Sequence, residues 1–153
     1  MTYTETKVRK TFFNYPLMRR AMIFWFFEVA LSFFNFNVLM NQVYEPRWGE
    51  LTAHQIGMST RIIYVLIFAF FIVRGIKEYT TRDLWFLGLF WVGSWLVIEW
   101  GGSLIMGRPV SEIVVGWNIF NGHMWPYVLL TYLTSAPIIG SILPHQKRMA
   151  EHS

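Results

Sequence analysis

The sequence predicts an all-α integral membrane protein: a bundle of four transmembrane helices with a short interfacial helix between the third and fourth. Three observations carry this prediction. The 153 residues are 54% hydrophobic and only 14% charged, against about 25% charged in a soluble domain. Four stretches each approach the ~20 apolar residues that a ~30 Å hydrocarbon core demands. Eight Trp and seven Tyr supply rings of the kind that anchor helix ends at the membrane interface. Mean hydropathy is positive and cysteine is absent. That excludes disulfides, thiolate metal sites, covalent haem attachment and thiol redox chemistry.

The chain opens on a polar, basic stretch containing Lys7, Arg9, Lys10, Arg19 and Arg20, with Pro16 marking where a helix can begin. The first span is predicted at about 21–42. Its apolar run is longer than the 7–15 residues of a cleavable signal, so it reads as a permanent helix. Glu28, Ser32 and Asn35 recur at i, i+4, i+7 within it and share one face. A polar stripe inside a bilayer must look toward protein or water.

Residues 41–59 form a connector broken by Pro46 and Gly49, with Trp48 as an interfacial anchor. From Glu50 a helix is expected to start and run into the second span, with Glu50 and His54 four apart on it. The second span is predicted at about 57–77. Its uncharged stretch, Ile62–Val73, covers only ~18 Å at ~1.5 Å per residue. The helix is therefore expected to continue on both sides, with Arg61 and Arg74 snorkelling to the two interfaces.

The third span, about 84–106, is apolar or small throughout except for Glu99. An intramembrane carboxylate is costly and marks a functional site or a hydrogen-bonded lock between helices. Residues 107–123 are too polar to span but keep an apolar rhythm (Val110, Ile113, Val114, Trp117, Phe120). They predict an interfacial helix at about 109–120. The fourth span, about 124–143, has a polar stripe of His123, Tyr127, Thr131, Thr134 and Ser135 and a bend at Pro137. A polar tail, Pro144–Ser153, follows. No repeat or linker divides the chain, which reads as one membrane domain.

Four spans place both termini on one side. That side holds ten Lys and Arg; the other holds Arg47, Arg61 and Arg108. The bias predicts cytoplasmic termini. It also accounts for the net charge of +4 without nucleic acid as a partner.

The same topology gathers Glu45, Glu50, His54, Arg108, Glu112, Asn118 and His123 on the outer side. Glu99 lies about seven residues, or ~10 Å, below that surface. It is expected to bond directly to Arg61, Arg108, His54 or His123. Glu28, deeper by ~10 Å, reads as a separate polar point.

The candidate ligand- or ion-binding residues are therefore Glu99, His54, Arg108, Asn118, His123 and Glu28. Two His with several carboxylates could hold a metal, although no HExxH or ExxH pattern is present. Ser103 or Ser111 with a histidine and Glu99 is a hydrolase inventory without a nucleophile elbow. No cofactor is identifiable.

The segments PRWGELTAHQIGMS (46–59) and EWGGSLIMGRPVSEIVVGWNIFNGHMWPYVLLTYLTSAP (99–137) resemble a family of small bacterial four-helix integral membrane proteins, over about residues 41–137. The resemblance implies the bundle fold and a bacterial inner-membrane location, but no reaction. Gly116-Trp117-Asn118 replaces the acidic-aromatic turn that the family pattern carries.

The expectation is a non-enzymatic protein binding a small polar solute or ion at the outer face, as a homo-oligomeric channel or carrier. An accessory subunit of a larger membrane complex, or a metal- or lipid-dependent membrane enzyme, are the alternatives.

Overall fold

A computed structural model describes residues 14–143, which are almost wholly helical and contain no strand. The basic residues Lys7, Arg9 and Lys10 and the tail Pro144–Ser153 lie outside the described residues. Four long helices form the architecture: α1 (Tyr15–Trp48), α2 (Glu50–Arg74), α3 (Thr81–Ile105) and α5 (Trp125–Ile142). The short α4 (Val110–Ile113) lies in the last connector. The first three are long and apolar enough to cross a membrane, which marks a membrane protein.

The start of α1 is set by Asn14, whose Oδ1 accepts from the Leu17 N–H at 3.3 Å, and by Pro16 in the first turn. Asn14 also donates to the Glu78 carbonyl at 3.0 Å and to Asp83 at 3.2 Å. These bonds tie the start of α1 to the α2–α3 turn. The helix does not end near residue 42. It continues through a π-helical stretch, Asn35–Tyr44, and one further α turn, stopping at Gly49, whose φ of +82° is a left-handed angle that suits glycine.

The second helix begins at Glu50, as the break at Gly49 implies, runs on through the predicted span, and ends at Arg74 rather than 77. The extra turns expected on both sides of Ile62–Val73 are nearly all N-terminal. Arg61 consequently sits about 17 Å into the helix. It does not snorkel: 7% of its surface is exposed.

A capping box starts α3. Thr80 Oγ1 accepts from the Asp83 N–H at 3.2 Å, and Asp83 accepts from the Thr80 N–H at 2.9 Å. A second π stretch, Val97–Gly101, contains Glu99. The predicted helix at 109–120 is broken into the α4 turn and two 3-10 turns, Val114–Trp117 and Ile119–Asn121. Two adjacent valines and Gly116 are poor helix formers, and Asn118 bonds the local backbone instead of continuing a helix.

The core lies where α5 packs against α2 and α3, around Val65, Ile72, Leu87, Trp91, Val128 and Tyr132. Close approach is made possible by Gly88, where a Cβ would stand 2.3 Å from the Leu133 carbonyl oxygen. Tyr79 donates to the Gly140 carbonyl at 3.3 Å, so both ends of the described chain meet the α2–α3 turn at one end of the bundle. The 106–124 connector closes the other end through Gln55 to the Gly122 carbonyl at 3.1 Å. Phe26, Phe27, Phe33 and Phe34 on α1 point outward. Such a patch is compatible with lipid and is a liability in water.

Replacing Gly88 should separate α3 from α5, because its neighbour is backbone and cannot turn aside. Gly88→Val is expected to cost about 1–3 kcal/mol. Gly93→Val, with nothing near its Cβ position, should cost much less. Thermal unfolding in one detergent compares the two; equal loss would refute the packing role.

Candidate functional site

Glu28 is 1% exposed and faces inward from α1. Its Oε1 accepts from Ser32 Oγ at 2.6 Å and from the Tyr132 hydroxyl, and stands 3.4 Å from Arg61 Nε. Its Oε2 accepts from Trp95 Nε1 at 2.7 Å. Ser32 Oγ also shares a hydrogen bond with the Tyr64 hydroxyl at 2.7 Å. One carboxylate thus gathers groups from all four long helices. A buried charge is tolerated when paired and fully hydrogen-bonded, and Glu28 meets that condition.

Arg61 meets it only in part. Its Nε donates to the Tyr132 hydroxyl at 3.0 Å. Its Cζ lies 4.0 Å from the Trp95 ring centroid and 5.0 Å from that of Trp125, both within cation–π range. Its Nη2 is buried with no hydrogen-bond partner.

Toward the connector end of the bundle lies a second polar group. Glu99 accepts from Trp125 Nε1 at 2.7 Å. The expected direct bond to Arg61, Arg108, His54 or His123 is not made. The cation nearest in depth, Arg61, is already committed to Glu28, and Trp125 lies between. Arg61 and Arg108 act on Glu99 only through space. The Trp117 indole is also close to Glu99, but its N–H lies outside hydrogen-bonding geometry.

The His54 and His123 rings meet edge to face at 5.0 Å. His54 Nε2 accepts the Met124 N–H at 3.1 Å, so its neutral form carries the proton on Nδ1. His123 Nδ1 is buried and unpartnered.

Between α1, α2, α3 and the connector these groups line a cavity of about 490 Å³. Its polar lining includes Arg61, Glu99, His54, His123, Arg108 and Ser103, and its walls are otherwise largely apolar. Both π-helical stretches border it, through Asn35, Phe36 and Met40 on α1 and Ile98 and Glu99 on α3. A π turn inserts a residue and re-aims the side chains around it, which is why such turns recur at functional sites.

Four of the six residues singled out from the sequence, Glu99, His54, His123 and Arg108, therefore share this cavity. Arg108 is exposed and pairs loosely with Glu112 at 3.5 Å. Asn118 does not join them: it is exposed, and its side chain accepts from the Asn121 N–H within its own turn. Glu28 lies behind the cavity wall, not on it. Of the polar stripe predicted along α5, only His123 lines the cavity. Thr131 and Thr134 bond back to carbonyls one turn earlier at 2.8 Å, and Tyr127 is exposed.

Sequence reasoning missed Trp95 and Trp125 as site residues, and it set Arg61 at the interface as a partner for Glu99, whereas Arg61 is buried beside Glu28. No group of three or more His, Asp or Glu side chains among the described residues is placed to hold a metal. Neither Ser103 nor Ser111 bonds to a histidine. No family model, curated protein or solved structure matches the chain, so the site is argued from its own geometry.

Removing Glu28 alone should strand Arg61. Glu28→Gln is expected to destabilise the bundle by about 3–5 kcal/mol, and the double change with Arg61→Gln by less. Tyr132→Phe should cost about 1–3 kcal/mol. Unfolding in nanodiscs measures all three; a double variant worse than Glu28→Gln would refute the pairing.

Proposed function

We propose that this chain spans the membrane four times and binds a small polar solute in the cavity, entered from the outer face, as a carrier or gated channel. The observation that carries this reading is the cavity itself. About 490 Å³ lies within the range of small-molecule sites, and its apolar walls hold a few convergent polar groups.

In this reading α5 is the fourth span: 18 residues cover about 27 Å, close to the hydrocarbon thickness. The charge bias puts both termini in the cytoplasm and the α4 connector at the outer surface. The two ends of the described chain lying together support that arrangement. Beneath the cavity floor, Glu28 and Tyr132 close the bundle. A solute could pass only if that layer parted, which favours a carrier over an open pore.

The natural absence of cysteine gives a direct test. Ser103→Cys places one thiol in the cavity, and Phe27→Cys one on the lipid face. A membrane-impermeant methanethiosulfonate added outside intact cells should label the first and not the second. Labelling of Ser103→Cys only from the cytoplasmic side, or only after solubilisation, would overturn the reading.

A further inference from the structure

We infer that the cavity's ligand carries an oxyanion with two oxygens side by side, a carboxylate or phosphate-type group, that docks on the unpartnered Nη edge of Arg61. This deepens the reading of the cavity as a solute site and rests on it.

The guanidinium is enclosed on every side but one. Trp95 and Trp125 lie against it at 4.0 and 5.0 Å. The Nε edge is held by the Tyr132 hydroxyl at 3.0 Å and Glu28 at 3.4 Å. What remains is the Nη edge, where Nη2 has no partner. Arg61 is part of the cavity lining, so the cavity is the space from which a ligand can approach it.

Glu28 does not neutralise this edge. Its two oxygens are divided among Ser32, Tyr132, Trp95 and the far side of Arg61. The direction still open to Arg61 lies in its own plane, and in-plane N–H pairs match the two oxygens of a carboxylate or phosphate. A buried donor without a partner is costly, and a ligand that satisfies it recovers that cost on binding.

The surroundings select further. Met58, Ile98, Trp95 and Trp125 give the ligand's body an apolar enclosure. Glu99, with one oxygen held by Trp125, and Glu50 and Glu112, which also line the cavity, disfavour a second negative charge nearer the mouth. The chemistry indicated is a monoanion on a compact apolar or aromatic body.

The test uses the full chain in phosphatidylcholine nanodiscs and fluorine NMR of para-fluorobenzoate, with empty nanodiscs as the blank. Saturable broadening is expected, displaced by benzoate, while para-fluorobenzamide and the para-fluorobenzamidinium cation bind about tenfold weaker or less. Arg61→Lys keeps a cation opposite Glu28 but loses the fork, and should weaken benzoate binding by about tenfold. Ser103→Phe fills the cavity without touching Arg61 and should abolish it.

Repeating the titration with phosphatidylglycerol in the nanodiscs distinguishes the anion's source. Competition identifies a lipid headgroup and its absence a soluble acid, and the oxyanion assignment stands in both cases. If the amide or the amidinium binds as tightly as the carboxylate, the oxyanion inference is overturned while the solute site, tested by cavity labelling, survives. It is equally overturned if benzoate, inorganic phosphate and phosphatidylglycerol all fail to bind saturably.

Discussion

A single buried ion pair organises this bundle. Placing Arg61 in the middle of an apolar helix is tolerable only if a carboxylate and several hydrogen-bond donors converge there. Glu28, Ser32, Tyr64, Trp95 and Tyr132 do so from four helices. Each helix is therefore fixed in rotation as well as position. The aromatic residues serve twice, since Trp95 and Tyr132 supply both core volume and polar hydrogens to the one carboxylate.

That arrangement also separates two kinds of polar chemistry by depth. Below, the Glu28 network is dense and saturated, and it holds the helices together. Above, the lining is sparse: Glu99 has one indole donor, His123 Nδ1 has none, and Arg61 offers an unmatched edge. Saturated groups suit structure, and unsaturated ones leave capacity for something else to bind. Arg61, Ser32 and Trp95 belong to both layers, so the strength of the lower network limits how firmly the upper layer is positioned.

The existence of four long helices was legible from hydropathy, and the gathering of His54, His123, Arg108 and Glu99 at one end of the bundle from the order of the spans. The centre was not. Twelve uncharged residues between Arg61 and Arg74 look symmetrical in sequence and suggest interfacial anchors at both ends. The structure puts nearly all the extra length N-terminal to Arg61, which is half of a buried ion pair. Glu99 reads as the residue needing a cation because it is the one charge in an otherwise uninterrupted apolar run. The Trp125 N–H, which carries no charge to notice, satisfies it instead, and the cation Arg61 pairs with Glu28. Along α5, Thr131 and Thr134 bond their own backbone, as threonine in a helix can.

The two π-helical stretches have a consequence for how this pocket could change over time. Each holds one residue more than a regular helix would need over the same length, so excising a single residue there would relieve the backbone rather than break it. The cost would be rotation: side chains on one flank would swing by about 100° relative to the other. A one-residue gap within 35–44 or 97–101 in a related sequence would therefore signal a differently lined chamber on an otherwise intact bundle. Large shifts in ligand preference would be open to this architecture by deletion, without any substitution in its core.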